Sequence, residues 1–427
     1  AYVGSVHTVT QRFTLELIRH ELIGVVTTNR RRLGWIRRRW RIVRGRPSST
    51  TVPRPRPSTF AEPRSTTGEV GAQGAVLFLL DMKRPADIGL YGRHQRTPGI
   101  DGCFGDGARF TRAYSPATNT FYAYPALYSS TYPSTRNHGN NWRTEEPDWF
   151  EPAPQALGAI FKHAGFAPVA LINQWYRIFF ESETRINDDG LSQIFRGFQV
   201  RLESGGPADS PEAIGRAYSP DSIPAHGRFL LVVHVVSHRP EEIPEVDQLV
   251  ERICRDVAAA GRASDTVLLL TADHGVQYGE HGRQTYGRTT FNEEALVPLL
   301  VRVPGATPQV VDTPVSGLDH LPTLIDIFDL PTETSFEGRS YLPALLGEQL
   351  PPDRAIFVEA RSKAPSIAII KGDTKLIRWE ETGAVALFDL ALDPGETRNR
   401  IDDDDYQTVA SELLSELTRF LAQRGQL

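Results

Sequence analysis

A mainly parallel α/β sheet, covered by helices on both faces, is the fold this sequence predicts. Short continuous apolar runs recur, helical patterns lie between them, and polar residues stand directly after the runs. AVLFLL (75–80) reads as a strand buried on both faces, with Asp81 at its C-terminal end. Residues 155–164 carry helical spacing, and PVALI (168–172) reads as the next strand. FLLVVHVV (229–236) is a further buried strand, 245–260 a helix, and TVLLLTADHG (266–275) repeats the pattern of strand followed by polar residues. Ligands of open α/β sheets bind beyond the carboxyl ends of the strands, so Asp81, His234, His238, Asp273 and His274 are placed to converge. No internal repeat is evident.

The composition sets bounds on this reading. A length of 427 residues allows one large domain or two ordinary ones. With 40% apolar and 23% charged residues, collagen, coiled coil and wholesale disorder are excluded. Cys103 and Cys254 are far apart in the sequence and have no CxxC or His-rich partner motif. They provide neither a disulfide framework nor a cysteine zinc site, and leave the redox compartment open. No stretch reaches the 18 apolar residues of a membrane-spanning helix. A chain starting at Ala1 reads as a processed product or a fragment, with a membrane-associated or extracytoplasmic setting expected.

Charge divides the chain. Residues 1–64 hold fourteen arginines and three glutamates, a surplus of +11, so the total of -5 leaves -16 for residues 65–427. Between 30 and 46 the arginines interleave with Leu33, Trp35, Ile36, Trp40, Ile42 and Val43. That pattern suits an amphipathic helix at an anionic membrane surface, with a plain solvated helix or linker as the simpler alternative. Nucleic acid is not expected as a partner, because no nucleic-acid module accompanies the arginines. PSSTTVPRPRPSTF and its surroundings read as an extended linker. The expected division is a basic segment and linker over 1–73, a catalytic α/β domain over 74–350, and a C-terminal subdomain of the same fold over 351–427.

From about Gly74 onward the chain resembles the sulfatase branch of the alkaline phosphatase superfamily. VLFLLDMKRPADIGLYG resembles the family's opening strand, metal-binding Asp and trailing GxYG, and RTPGIDGCFGDGARFTRAYSPA the helix and strand that follow. TADHGVQYGEHG, YGRTTFNEEALVPLLVRVPG, LDHLPTLIDIFDLP, EGRSYLPALLG and LFDLALDPGETRN resemble later blocks in the family's order. The resemblance implies an alkaline-phosphatase-like sandwich: a large, mostly parallel central sheet flanked by helices, a smaller C-terminal antiparallel sheet, and a closing helix.

A hard divalent cation needs oxygen-rich ligands and tolerates imidazole as it becomes softer. Asp81, Asp273 and His274 offer two carboxylates and one imidazole, and the resemblance implies that all three are metal ligands, for Ca, Mg, Mn or Zn. Alternatively an isolated Asp-His-Gly merely caps a turn. The family often has a second Asp where this chain has Met82. Ungapped counting from the flanking motifs puts Thr120 where sulfatases carry the residue that becomes formylglycine. Threonine cannot undergo that conversion, so formylglycine is not expected. In relatives that cleave phosphoric esters, threonine is instead the metal-bound nucleophile. The bland alternative for Thr120 is an N-cap on a helix.

Arg288 occupies the slot of the family's substrate-binding lysine, and His238, in HVVSHRP, matches its substrate-side histidine. His281, in GEHG, lies near the same rim or serves the turn structurally. His234, inside an apolar strand, reads as a core residue. Sulfatases carry an arginine shortly after the nucleophile, where this chain reads TFYAYP; Arg84 and Arg136 are conceivable replacements. The expected activity is therefore metal-dependent hydrolysis, or headgroup transfer, of a sulfuric or phosphoric ester on a small molecule, lipid or glycan. In-line attack from Thr120 would start it, with Arg288 and His238 assisting. The alternative is a catalytically degenerate sulfatase fold that binds a ligand or partner without turnover. Limited proteolysis between Arg46 and Gly74 should leave a folded core detectable by its unchanged circular dichroism; a core that unfolds on cleavage would show the segment to be integral.

Overall fold

The computed structural model describes residues 71–92, 96–135, 156–172, 195–202, 210–237, 239–332, 334–361 and 365–425. The arginine-rich stretch 30–46, the linker to residue 70, and the candidates Arg136 and His238 lie outside the described residues.

Apolar character and burial make the central strands. β1 (Gly74–Leu80) is buried at every residue. α1 (Pro98–Phe104) starts on a proline and is followed by β2 (Ala108–Tyr114). Then come α2 (Thr120–Ser129), α3 (Leu157–His163), β3 (Ala167–Ile172), β4 (Gln199–Leu202) and α4 (Pro211–Ala217). β5 (Phe229–Val235) is again buried throughout. α5 (Ile243–Ala259) buries Ile243, Val246, Val250, Ile253 and Val257, a single stripe at helical spacing. β6 (Thr266–Ala272) is the third strand buried end to end. The expected strands and helices are thus present, displaced by a residue or two at their ends.

Beyond β6 lie the short pair β7 (Gln277–Tyr278) and β8 (Gln284–Thr285), the turn-length helix α6 (Asn292–Ala295), and β9 (Leu296–Arg302). β10 (Gln309–Val311), β11 (Val315–Ser316), α7 (His320–Ile327) and α8 (Leu342–Leu345) complete this layer. The strand order is β10-β2-β9-β6-β1-β5-β3-β4, with β11 also on β2. All neighbours are parallel except β9, which is antiparallel to β2 and β6. α1 and α4 pack on α5, while α2 packs with α3 and α7.

A second, antiparallel sheet is built from β12 (Ile356–Ala360), β13 (Ser366–Lys371), β14 (Thr374–Trp379) and β15 (Val385–Asp389). Its alternation has a use on each face. Phe357, Ile367, Ile369 and Leu376 meet Leu413, Leu417 and Phe420 of the closing helix α9 (Gln407–Ala422). Ile356, Val358, Ala368 and Ile370 pack instead with Tyr114 and Ala295. The fold class implied by the resemblance is therefore present: a mostly parallel central sheet, a small antiparallel sheet and a closing helix.

Two pairings deep in the fold were not visible in the sequence. The packing of α1 on α5 brings Cys103 beside Cys254, although both remain free thiols. Lys375 of β14 and Glu396 form an ion pair of 2.8 Å with neither side chain exposed. Asn292 of α6 bonds both partners, its Oδ1 accepting from Lys375 Nζ at 3.0 Å and its N–H donating to Glu396 at 2.5 Å. The pair therefore fastens the small sheet to the segment entering β9.

Removing one member strands a buried charge, which costs about 3–5 kcal/mol. Lys375→Met and Glu396→Gln should each lower the urea midpoint accordingly. The double variant should lose less than the sum of the singles; strict additivity would show that the two charges do not depend on each other.

Candidate functional site

Strand register creates the site. Leu80 of β1 is level with Val235 of β5 and Ala272 of β6, so the next residues leave the sheet side by side. Asp81 N–H donates to the Val235 carbonyl at 3.0 Å, and Asp273 N–H to that of Leu80 at 3.1 Å. The ligand atoms of Asp81, Asp273 and His274 all lie within 4.8 Å of one another. His274 Nε2 is 3.6 Å from Asp81 Oδ1 and 3.7 Å from Asp273 Oδ2. All three residues are buried.

The fourth group comes from α2. Asn119, not Thr120, caps that helix, its side chain accepting the Phe121 N–H at 2.9 Å. The Thr120 hydroxyl, free of capping, lies 3.0 Å from His274 Nε2. His274 Nδ1 is 2.8 Å from the Gly275 carbonyl, which requires the proton on Nδ1 and leaves the Nε2 lone pair facing Thr120. The ring is stacked on Tyr286, with centroids 5.1 Å apart. Gly275 is needed here, since a Cβ would fall 2.2 Å from the Glu293 carbonyl oxygen. Gly287, with φ of +70°, brings the backbone before Arg288 against Asn119.

The donor set fits a divalent cation. Ligand atoms at roughly 2–2.5 Å from one ion sit about 3–4 Å from each other, and His274 Nε2 stands at such distances from both carboxylates. Asp273 Oδ2 is buried with no hydrogen-bond partner among the described residues, although its Oδ1 accepts the His274 N–H at 2.8 Å. The Nδ1–carbonyl bond fixes the tautomer that a metal ligand needs. Burial raises the Asp273 carboxyl above the ordinary range, with His274 opposing and Asp81 reinforcing that rise. Burial alone would lower the His274 ring, but Asp273 and Asp81 raise it on balance. The rise at His274 reports the two carboxylates beside it, whereas the rise at Asp273 reports its burial.

Other candidates are disposed differently. Arg288 is half-buried; its N–H donates to Glu294 at 3.0 Å, and among the described residues its guanidinium pairs with no carboxylate. His281 is held against Phe291 (centroids 3.7 Å) and pairs with Glu293 at 3.3 Å, the arrangement of a residue that shapes the rim. Arg84 is engaged by Glu280 at 2.7 Å and by the Tyr278 ring, so it is not a spare cation for the site. His234 is fully buried, edge-on to Tyr124, as a core residue should be.

Two further residues stand beside the site. Lys83 is buried and donates to the Ser237 carbonyl; burial lowers its pKa, against the pull of Asp87, Asp81, Glu242 and Asp273. Glu294 accepts from the Arg288 and Thr289 N–H groups and from the Thr289 hydroxyl at 2.7 Å, fixing the Arg288 turn. A lysine after a strand ordinarily reads as solvated, which hid the first. The second stood in the quoted NEE stretch but carried no assigned role.

Two family models match the part of the chain that carries Asp273, His274 and Arg288: Sulfatase over residues 203–330, and N-sulphoglucosamine sulphohydrolase, C-terminal, over 279–423. Residues 203–423 of the chain thus match models of the sulfatase family. It is 33% identical over 124 residues to an extracellular sulfatase SULF-1 homolog of Drosophila melanogaster, covering 29% of this chain and 11% of that protein. Over 161 residues it is 32% identical to a choline-sulfatase of Rhizobium meliloti, covering 37% of this chain and 31% of that one. The chain thus spans less than a third of the length of either relative.

Structures agree on the sulfatase fold. A 2-O GAG sulfatase superposes with a TM-score of 0.69 at 18% identity, covering 83% of this chain and 93% of its own. A phosphonate monoester hydrolase of Agrobacterium radiobacter does so with a TM-score of 0.63 at 18% identity, covering 82% and 96%. Met82, directly after Asp81, is buried with φ of 54°, a left-handed conformation costly for a residue with a side chain.

Burial raises Glu294 to about 7 despite its three donors. A raised carboxyl binds its proton more tightly when folded, so its contribution is present below the unfolded value of 4.5 and lost as pH rises through about 7. Metal-free protein should therefore lose on the order of 2–3 kcal/mol over that window relative to Glu294→Gln, as measured by urea unfolding at a series of pH values. Parallel curves for the two proteins would show that Glu294 titrates normally.

Proposed function

We propose that this chain hydrolyses sulfuric or phosphoric esters, phosphonate esters included, using Thr120 as nucleophile. The observation that carries the reading is the Thr120 hydroxyl 3.0 Å from His274 Nε2, at the edge of a buried two-carboxylate, one-imidazole cluster. Support for the ester class comes from the relatives and neighbours, whose names include choline-sulfatase, a GAG sulfatase and a phosphonate monoester hydrolase. A small-molecule or glycan ester is the substrate that these names favour.

Asp81, Asp273, His274 and Thr120 would hold the divalent cation, which when bound supplies Lewis-acid charge that lowers a hydroxyl's pKa and offsets charge on ester oxygens. Thr120 Oγ1 attacks sulfur or phosphorus in line with the departing alcohol, and its proton leaves for solvent. The bond to the leaving oxygen breaks, and that oxygen takes up a proton, a role His238 would assist. Water then cleaves the threonyl ester, releasing sulfate, phosphate or phosphonate and restoring the hydroxyl. Charge on the transferring group rests on non-bridging oxygens, and Arg288 with the first turn of α2 supplies positive ends to meet it. A threonine β-carbon bears a methyl group, so oxidation there would give a ketone and no formylglycine aldehyde.

The test uses aryl sulfate, aryl phosphate and aryl phosphonate monoester substrates, with elemental analysis of the bound metal. Thr120→Ala should abolish turnover and leave metal bound, whereas Thr120→Ser should retain turnover. Asp273→Asn should lower metal affinity at least tenfold. Arg288→Ala should reduce kcat/KM by roughly 100- to 1,000-fold, equivalent to about 2.7–4 kcal/mol. Full activity in Thr120→Ala would sink the covalent mechanism, and metal-replete protein that turns over none of these esters would sink the hydrolase reading.

A further inference from the structure

The two cysteines of this chain meet in the fold, in a place unconnected with the ester chemistry. α1 docks on α5 through its first turn, where Gly99 N–H and Ile100 N–H donate to the Asp247 carboxylate at 3.0 and 2.7 Å. The helices approach closely there: a Cβ on Gly99 would fall 2.7 Å from the Asp247 carbonyl oxygen. One turn further along α1, Cys103 Sγ lies 4.0 Å from the Val250 carbonyl oxygen. In a helix that carbonyl accepts the N–H of residue 254, and side chains lean toward the N-terminus. The Cys254 side chain therefore leans over the spot that Cys103 occupies. Consistent with this, the Cys103 thiol is the strongest influence on the Cys254 thiol and, with burial, raises its pKa. Cys103 is buried and Cys254 only partly so, which leaves Cys254 as the sulfur a reagent meets first.

We propose that Cys103 and Cys254 form an oxidisable pair that closes to an internal disulfide, stapling α1 to α5, when the protein meets a small-molecule disulfide such as oxidised glutathione. The Cys254 thiolate attacks one sulfur of the reagent, expelling one thiol and forming a mixed disulfide. The Cys103 thiolate then attacks the Cys254 sulfur and expels the second thiol. Two protein thiols are oxidised to one disulfide, the reagent is reduced to two thiols, and the two protons pass to those thiols. The first step is slow at neutral pH because only thiolate attacks, and it accelerates as pH rises. α1 also anchors the turn that follows Asp81, since Gly89 N–H donates to Thr97 at 2.8 Å and Thr97 to Asp101 at 2.9 Å. The staple would thus brace the layer next to the first metal-site strand.

The full chain, reduced and then freed of reductant, is incubated with oxidised glutathione at mildly alkaline pH, denatured with excess maleimide, and weighed by mass spectrometry. The expected product is a monomer lighter by two hydrogens that takes up no maleimide, against two maleimides for the reduced protein. Its Tm should rise by about 5 °C or more, because the closed loop is long, and dithiothreitol should reverse the rise. Cys103→Ser should stop at a glutathione adduct on Cys254. Should that variant fail to fold, Cys254→Ser serves, and should acquire no adduct in the native state. Wild-type protein that accumulates stable glutathione adducts, links into dimers, or keeps two reactive thiols overturns the proposal.

Discussion

Two carboxylates leave adjacent parallel strands at the same level and are buried there together. Like charges in that position repel each other and lack water, so the surroundings must supply compensation. The structure shows how that is arranged: an imidazole locked in one tautomer, a threonine hydroxyl at the start of a helix, and a buried ammonium close behind. Asp273 Oδ2 still has no hydrogen-bond partner among the described residues. A site built this way stabilises a cation more readily than it tolerates emptiness, which is the electrostatic basis for reading it as a metal centre.

Loops around the carboxylates are held by backbone constraints rather than by bulk. Gly275 allows the strand exit to touch the Glu293 carbonyl, and Gly287 allows the Arg288 turn to touch Asn119. Glu294 receives three donors from that turn, while Lys375, Glu396 and Asn292 tie its far side to the small sheet. The small antiparallel sheet is therefore mechanically joined to the segment carrying Arg288, and it is better seen as a buttress of the site than as an appendage.

How much of this was legible in the sequence follows from the range of each interaction. β1, β5 and β6 announced themselves because strands buried on both faces are continuous apolar runs, and the polar residues after them marked the site. Asp81, Asp273 and His274 were readable for that reason, and Thr120 by counting between motifs. The alternative that Thr120 caps its helix does not hold, because the preceding Asn119 takes that role. Lys83, the Lys375–Glu396 pair and the meeting of Cys103 with Cys254 were hidden. Each depends on which helix or strand packs on which, and residue spacing carries no information about that.

The order of strands in space has a consequence for how the chain comes together. β1 lies between β5 and β6, which follow it by more than 140 residues, so its hydrogen-bonding edges stay open while much of the chain is still being made. Contacts of that sequence separation are slow to form, because long loops must close before they reward the closure. Until then GAVLFLL is an unpaired, wholly apolar strand of the kind that aggregates. Its safe passage rests on protection during synthesis, and a nascent chain truncated before β5 should depend heavily on chaperones.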